Sequence, residues 1–295
     1  MGNVWKAMRK HQAEEAAKTE GSVGAAQVAD PDSPPGQASS RAEGEPAARK
    51  DEPGGQTATS VLIGAYAEEL LAYHDPGHPI TEDYRKARIS LLAKLRQDRM
   101  CSLITSAAPG EGKTVTCANL GFVLAEREDR TTILVDGDLR KASLGKLFNA
   151  KGGPGLTGII KGKASIDEAT IALDCAHENL FLLPASTTEP HEVGKLLARP
   201  GLEETIDELR KRYDYVLIDT PPTTMPDAET IGRCAQDAIL IIRMGKTRRE
   251  AVLDAKRRLG GAQVNVLGII LTHRKIHKSS YRYYRYHYNY RYGES

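Results

Sequence analysis

The feature that most constrains this chain is a short glycine-containing loop between an apolar run and a predicted helix. The loop spans residues 107–114 and reads Ala-Ala-Pro-Gly-Glu-Gly-Lys-Thr, one residue after the apolar run 103–105. Apolar side chains then recur at helical spacing from about residue 113. A strand, a glycine-rich loop and a helix in this order are the context of a phosphate-binding P-loop. The sequence therefore predicts a polyphosphate site at the end of a strand.

The residue types of this loop suit the binding of a nucleotide with a metal ion. Gly110 and Gly112 let backbone N–H groups turn toward phosphates, and the start of the helix adds a positive dipole end. We predict that Lys113 reaches the β- and γ-phosphates and that Thr114 offers its hydroxyl to Mg²⁺. Ala107 stands where the simplest pattern has a glycine, which is compatible with a negative φ. The predicted binding residues for ATP and Mg²⁺ are Ala108, Pro109, Gly110, Glu111, Gly112, Lys113, Thr114 and Val115.

Short apolar runs alternate with helical patterns along the rest of the chain. Further strands are predicted at 131–136, 180–183, 215–219, 238–242 and 266–271. Helices are predicted between them, notably around 193–197, 202–212, 227–234 and 249–259. This alternation is typical of a mostly parallel sheet with helices on both faces. The predicted fold class is therefore α/β, as in P-loop NTPases, with ligands at the carboxyl ends of the strands.

Two of the predicted strands end in aspartate. Asp136 ends one strand, with Asp138 two residues later, and Asp219 ends another. Phosphoryl transfer needs a metal ion across the β- and γ-oxygens and a carboxylate that orients or deprotonates the nucleophile. We predict that Asp219 holds the metal through water, that Asp136 contacts the metal shell or the acceptor, and that Asp138 completes an acidic pocket. The predicted metal residues are thus Thr114, Asp136 and Asp219, and the predicted catalytic residues are Lys113, Asp136 and Asp138.

Composition divides the 295 residues into four parts. Residues 1–60 are rich in Ala, Glu, Gly, Pro, Gln and Ser, and we predict a disordered tail because so few apolar side chains cannot offset the ordering entropy. A short helix and linker are expected over 61–80, the P-loop domain over 81–276, and a flexible tail over 277–295. No apolar run approaches about 18 residues and no signal h-region is present, so we expect a soluble chain with reduced cysteines.

A helix is predicted to begin at Thr81, which would serve as its N-cap. Its apolar anchors are Tyr84, Ile89, Leu91, Leu92 and Leu95. Glu82, Arg85 and Arg88 lie three residues apart and therefore share one face of this helix. On the pattern alone, this triplet is either a solvated charged face or a contact surface.

The last segment holds most of the tyrosines. Aromatic and arginine residues that alternate suit base stacking on single-stranded nucleic acid, although the overall balance of 41 Lys and Arg against 39 Asp and Glu does not demand such a partner. The competing interpretation is a tethered tail that offers its phenols to a kinase site, at an effective concentration on the order of mM. The candidate phosphoacceptors are Tyr281, Tyr283, Tyr284, Tyr286, Tyr288, Tyr290 and Tyr292.

Together these motifs resemble those of the bacterial tyrosine autokinases, or BY-kinases, of capsule and exopolysaccharide export, which belong to the partition-ATPase-like branch of P-loop NTPases. Residues 106–114 resemble their Walker A motif, 133–140 their Walker A′ motif and 216–222 their Walker B motif. The Glu82-x-x-Arg85-x-x-Arg88 pattern is similar to their oligomerisation motif, and the tail is similar to their tyrosine cluster. The ordered combination covers roughly 81–292 and is more specific than any single motif.

The resemblance implies a protein-tyrosine kinase that uses ATP and Mg²⁺. The face with Glu82, Arg85 and Arg88 would join identical subunits into a ring, and each tail would place a tyrosine near Asp136 of a neighbour. The resemblance also implies a separate transmembrane activator of the polysaccharide co-polymerase type, a phosphotyrosine phosphatase, and a location at the inner face of the cell membrane. Phosphates on the tail, each of about −1.5 to −2 charge, would then expel it from the acidic pocket.

Two other functions remain open from the sequence. Partition and division-site ATPases share the Walker pattern and act as switches on DNA or membrane, but they carry a second lysine where this chain has Ala108. A nucleic-acid-binding protein with a stacking tail would show affinity that falls steeply with salt.

Overall fold

The computed structural model describes residues 66–95, 97–150, 152–173 and 178–273. The predicted N-terminal tail 1–60 and the tail 277–295, with all seven candidate phosphoacceptor tyrosines, lie outside these ranges. The helices are α1 (Leu71–His74), α2 (Pro79–Leu92), α3 (Lys113–Ala125), α4 (Leu144–Leu147), α5 (Gly155–Ile160), α6 (Ile166–Ala169), α7 (Pro190–Leu197), α8 (Pro200–Arg212), α9 (Pro226–Ala235) and α10 (Arg249–Gly261). The strands are β1 (Met100–Ser106), β2 (Thr132–Asp136), β3 (Ile171–Ala172), β4 (Leu180–Leu183), β5 (Tyr215–Asp219), β6 (Asp237–Arg243) and β7 (Asn265–Thr272).

The described strands form one sheet in the order β3-β4-β2-β5-β1-β6-β7. All neighbours pair in parallel except β3, which runs antiparallel to β4 at one edge. This confirms the predicted mostly parallel α/β sheet. The predicted spans of β4 and β5 agree with the structure residue for residue, and the other predicted strands differ by one to several residues at their ends.

Side chains of the central strands alternate between two buried faces. Leu134 and Leu217 point toward the face covered by the first helices, where they join a cluster with Leu120 and Leu124 of α3. Val135 and Val216 point to the opposite face, which is covered mainly by α5 and α7–α9. Because both faces are buried, the strands read as continuous apolar runs rather than as alternating ones.

Four short elements were not predicted from the sequence: α4, α5, α6 and β3. Each has six residues or fewer. A segment of this length does not complete two helical turns, so it shows no hydrophobic period that could be distinguished from a loop.

The prediction that Thr81 caps the second helix is wrong. The helix begins at Pro79, and His78 is its N-cap, with its Nδ1 accepting the Ile80 N–H at 3.1 Å. Proline suits this first position because its missing N–H would have had no helical partner. Thr81 is buried inside the helix instead, and its hydroxyl donates to the Asp75 carbonyl at 3.1 Å.

The segment before this helix packs against α3, the helix that follows the P-loop. Tyr66 and Leu70 are buried in the same cluster as α3. Asn119 of α3 accepts the Ala72 N–H at 2.8 Å and donates to the Glu69 carbonyl at 3.0 Å. Part of the predicted helix and linker of 61–80 therefore contributes to the core. None of the helices in the described ranges is long and apolar enough to cross a membrane.

Candidate active site

The predicted site residues converge because three strands end at the same edge of the sheet. Asp136 at the end of β2 pairs in register with Asp219 at the end of β5. Asp219 in turn pairs with Ile104 of β1, and the P-loop begins three residues after Ile104. Parallel pairing thus brings residues that are far apart in the chain to one place, as expected for the ligand edge of such a sheet.

The backbone of the P-loop has the geometry of an anion site. Gly110 and Gly112 adopt φ of 76° and 91°, in the left-handed region where side chains other than glycine are strained. Ala107 does not have a positive φ, as expected for an alanine at this position. No side chain caps the N-terminus of α3 at Gly112. Its first N–H groups and its dipole are therefore directed at the space in front of Lys113.

Gly137 allows the ends of β2 and β5 to approach each other closely. Its N–H donates to the Asp219 carbonyl at 2.7 Å. A Cβ at this position would lie 2.9 Å from the same carbonyl oxygen and 3.0 Å from a methyl carbon of Ile218. A side chain here would therefore separate the two strands that carry the acidic residues.

Burial, with repulsion from nearby carboxylates, makes the two strand-end carboxyls weak acids. Asp136 and Asp219 are 0% and 1% exposed. Burial, followed by the charge of Asp219, raises the pKa of Asp136 to about 8. Burial likewise raises the pKa of Asp219 to about 7, although the Thr114 hydroxyl and the Lys113 ammonium favour its ionised form. The pair thus holds less than its full negative charge until a cation arrives.

Lys113 lies at the first position of α3, next to these carboxyls. Burial lowers the pKa of Lys113, and the charges of Asp219 and Asp138 oppose this shift. A desolvated ammonium is a strong partner for phosphate oxygens because less hydration is lost when they meet. The lysine is therefore suited to the predicted contact with a nucleotide.

The residues of this edge fit a Mg²⁺ ion. Asp219 Oδ1 is buried and has no hydrogen-bond partner within the described residues. The Thr114 hydroxyl faces the same carboxyl and lies 3.4 Å from Ser143 Oγ. No set of three or more His, Cys, Asp or Glu side chains in the described ranges can hold a metal alone. This is expected for Mg²⁺, which keeps water and phosphate ligands beside one or two protein groups.

Asp136 and Asp138 also organise the loop that follows β2. Asp136 Oδ1 accepts the Asp138 N–H at 3.2 Å and Oδ2 accepts the Leu144 N–H at 2.9 Å. Asp138 is 7% exposed and accepts the Lys141 N–H at 3.2 Å. The predicted catalytic roles of these residues stay predictions, and the structure adds that both carboxylates fix the backbone of the loop.

Arg140, the last residue of the Asp-x-Asp-x-Arg pattern, binds a partner that the sequence did not indicate. Its guanidinium donates to both carboxylate oxygens of Asp227 on α9, at 2.6 and 3.1 Å. Asp227 is 3% exposed. A partly buried two-point ion pair of this kind holds the loop after β2 against α9. Sequence spacing gave no signal for it because 87 positions separate the two residues.

Three residues near the C-terminal end of the domain brace the P-loop, and sequence reasoning missed them as well. The Thr272 hydroxyl donates to the Glu111 carbonyl at 2.7 Å. The Thr247 hydroxyl donates to the Glu111 carboxylate, and Arg243 lies 3.4 Å from the Gly110 carbonyl. These contacts come from β6, β7 and the loop between β6 and α10.

The predicted oligomerisation residues are engaged within the chain. Arg85 Nε donates to both carboxylate oxygens of Glu126 at 2.8 and 3.0 Å. Arg88 donates to Glu126 at 2.8 Å and to the Val123 carbonyl at the end of α3. Glu82 pairs with Arg85 one turn away. These side chains lie apart from the acidic edge and clamp α2 to the C-terminal end of α3.

Comparison with known proteins places this arrangement among nucleotide-binding proteins. Residues 103–246 match the family described as AAA domain. Tyrosine-protein kinase YwqD of Bacillus subtilis is 33% identical over 218 residues, which cover 73% of this chain and 90% of that protein. Tyrosine-protein kinase wzc of Salmonella typhimurium is 32% identical over 225 residues, or 75% of this chain and 31% of that longer protein.

Solved structures of known proteins share the fold. The kinase domain of the Escherichia coli tyrosine kinase ETK superposes with a TM-score of 0.65 at 25% identity, covering 75% of this chain and 88% of that chain. The septum site-determining protein MinD of Pyrococcus horikoshii, complexed with Mg-ADP, gives a TM-score of 0.50 at 27% identity and covers 63% of this chain and 76% of that one. The predicted P-loop NTPase fold is therefore confirmed.

Proposed function

Because the chain belongs to the family of bacterial tyrosine-protein kinases, we propose that it transfers the γ-phosphoryl group of ATP to tyrosines of its own C-terminal cluster. The observation that supports this most directly is the convergence of the P-loop with two buried strand-end carboxyls, Asp136 and Asp219. A nucleotide on the P-loop would present its terminal phosphate to this acidic edge.

The proposed roles follow from the contacts of each residue. Backbone N–H groups of 110–115 and the Lys113 ammonium would bind the β- and γ-phosphates. Thr114 and Asp219 would hold Mg²⁺, directly or through water, the latter through Oδ1, which has no partner in the described part of the chain. When bound there, Mg²⁺ supplies charge neutralisation across the β- and γ-phosphates. The site thereby gains the positive charge that its buried carboxyls require.

Asp136 is the carboxylate proposed to orient the attacking tyrosine. The tyrosine oxygen would form a bond to the γ-phosphorus as the bond to the β-phosphate oxygen breaks, and the phenolic proton would pass to the carboxylate. Backbone N–H groups of Asp138 and Leu144 fix the carboxylate in place. Asp138, on the more open side, would complete the pocket.

We further propose that phosphorylation occurs between copies of the chain arranged as a ring through the face with Glu82, Arg85 and Arg88, as in the resembling autokinases. A transmembrane activator encoded separately, a phosphotyrosine phosphatase and a place at the inner face of the cell membrane belong to the same proposal. The proposed role of the chain is to control capsule or exopolysaccharide synthesis and export.

Detection of phosphotyrosine tests the proposed activity. The intact chain, Lys113→Met and a version that ends at Ser280 are expressed with and without candidate activators. Lys161→Met, an exposed lysine at the end of α5, is the matched control. We expect a signal in the intact chain and in the control, and none in the other two variants. A signal that survives Lys113→Met would mean that another kinase modifies the tail.

A switch ATPase is the second candidate, and the likeness to MinD favours it. Against it, Ala108 occupies the position of the second P-loop lysine of that group. ATP hydrolysis that is stimulated by DNA or lipid, without any phosphotyrosine, would support the switch function and overturn the kinase proposal.

A further inference from the structure

Glu111 is a P-loop residue whose side chain has no evident part in holding phosphate. A carboxylate beside a polyphosphate repels it, and a buried carboxylate without partners is costly. The Glu111 side chain is nevertheless 2% exposed. Its burial within an anion-binding loop therefore needs a separate explanation.

Both carboxylate oxygens of Glu111 are satisfied, one inside the loop and one outside it. Oε2 accepts the Ala108 N–H at 3.0 Å, and this hydrogen bond connects residue 111 to the beginning of the loop. Oε1 accepts the hydroxyl of Thr247, in the segment between β6 and α10. The carboxylate thus links residue 111 to the beginning of the P-loop and joins the loop to a neighbouring segment.

Thr247 is itself held in the orientation that this contact requires. Its Oγ1 accepts the Arg243 N–H at 3.2 Å, so its hydroxyl proton is available for the Glu111 carboxylate. In addition, the Thr272 hydroxyl donates a hydrogen bond to the Glu111 carbonyl at 2.7 Å. Residues outside the P-loop therefore hold it at Glu111, through both the side chain and the backbone carbonyl of that residue.

We propose that Glu111 and Thr247 are positioning residues that keep the P-loop in its nucleotide-binding conformation, a role that rests on the proposed nucleotide site. Gly110 and Gly112 give this loop many accessible backbone conformations. A loop held in one of them loses less entropy when phosphate binds, and its apparent affinity rises in proportion to the competent fraction. Removal of the Thr247 hydroxyl releases the side-chain contact and leaves every phosphate-binding group in place.

The dissociation constant of a fluorescent ADP analogue with Mg²⁺ tests this role in the full chain. Thr247→Val keeps the shape of the side chain and is expected to weaken binding roughly 5- to 20-fold, as for the loss of one charge-assisted hydrogen bond. Thr247→Ser keeps the hydroxyl and should bind within about twofold of the original chain. Thr230→Val is the matched control, because among the described residues the Thr230 hydroxyl donates to the Pro226 carbonyl of its own helix.

Hydrogen exchange of the nucleotide-free protein provides a second measurement. The peptide 107–115 should exchange faster in Thr247→Val than in Thr230→Val, since its backbone is no longer held. Equal exchange in the two variants, unchanged affinity of Thr247→Val, or equal weakening by the valine and serine variants would overturn the inference.

Lys113→Met separates this inference from the proposed function. If the original chain binds the analogue and Lys113→Met does not, the nucleotide site exists and the Thr247 variants decide the positioning role. If the original chain and Lys113→Met bind alike, the nucleotide site itself is refuted and the positioning role falls with it.

Discussion

Asp136 and Asp219 lie at the paired ends of β2 and β5, and the ionisation of these neighbouring buried carboxyls lowers the stability of the fold. Burial raises the pKa of both, to about 8 and about 7. A carboxyl whose pKa is higher in the folded than in the unfolded chain favours folding while it is protonated. Its contribution to stability is complete below the unfolded pKa of about 4 and is lost as the pH rises through the folded value.

This sign leads to a prediction for Asp219→Asn in nucleotide-free protein. The amide cannot ionise. The free energy of unfolding of the variant, relative to that of the original chain, should therefore increase by up to a few kcal/mol as the pH rises from about 5 to about 8, and its relative melting temperature should increase with it. The same variant should lose Mg²⁺-dependent activity. Thermal unfolding across this pH range measures the difference, with the exposed Asp129→Asn as control. A difference that stays constant with pH would contradict the assigned cause.

Individual site residues differ in how far the sequence predicts them. The sequence predicts Gly110, Lys113 and Thr114 because one loop carries them at fixed spacing. It predicts Asp136 and Asp219 because each of them ends an apolar run. Thr247, Thr272 and Asp227 reach the site through contacts across 136, 161 and 87 positions. Their partners depend on how β6, β7 and α9 are placed, which no local pattern records.

The sequence largely predicts the elements of eight or more residues and the buried strands beside the P-loop. Burial gives such elements either a hydrophobic period or a continuous apolar run. The start of α2 was misplaced, because Thr81 was predicted as its cap whereas Pro79 takes the first helical position and His78 caps the helix. The antiparallel β3 has two residues and lies at the sheet edge, where its burial pattern is too short to read.

The close approach of β2 and β5 depends on Gly137, and we predict that Gly137→Ala damages both stability and the site. The new Cβ would lie 2.9 Å from the Asp219 carbonyl oxygen and 3.2 Å from Ile231 Cδ1, so the strand ends must separate. We expect a loss of about 1–3 kcal/mol in the free energy of unfolding, as for other overpacked sites.

Gly194→Ala is the matched control for this change. Gly194 lies inside α7, and a Cβ there would meet nothing within 4 Å. Alanine should therefore stabilise the helix by about 0.5–1 kcal/mol. Urea unfolding of both variants tests the contrast. Equal effects of the two substitutions would show that close approach at Gly137 is not the determinant.

For the chain as a whole, the sequence predicted which edge of the sheet carries the site but not how the flanking segments attach to it. The segment with Tyr66 and Leu70 was read as helix and linker, yet it is buried against α3. Its attachment depends on Asn119, a polar residue within an otherwise apolar helix face. The arginines of α2 were predicted to contact other subunits, and within one chain they bind the end of α3.

This intramolecular clamp bears on assembly of the chain. If Arg85 and Arg88 join subunits, their ion pairs with Glu126 within a subunit compete with contacts between subunits. Glu126→Gln weakens the internal pairs and is predicted to increase the assembled fraction. Arg88→Ala removes the proposed intersubunit donor and should decrease it, while also lowering the melting temperature because the Val123 carbonyl loses its donor.

Sedimentation velocity over a range of protein and salt concentrations distinguishes these outcomes. Ionic contacts between subunits should weaken as salt shortens the screening length from about 10 Å at 0.1 M to about 3 Å at 1 M. Lys86→Ala, on the exposed side of the same helix, is the control and should sediment as the original chain does. If Glu126→Gln and Arg88→Ala shift assembly in the same direction, or neither shifts it, the α2 arginines serve the fold of one subunit and the ring must use another surface.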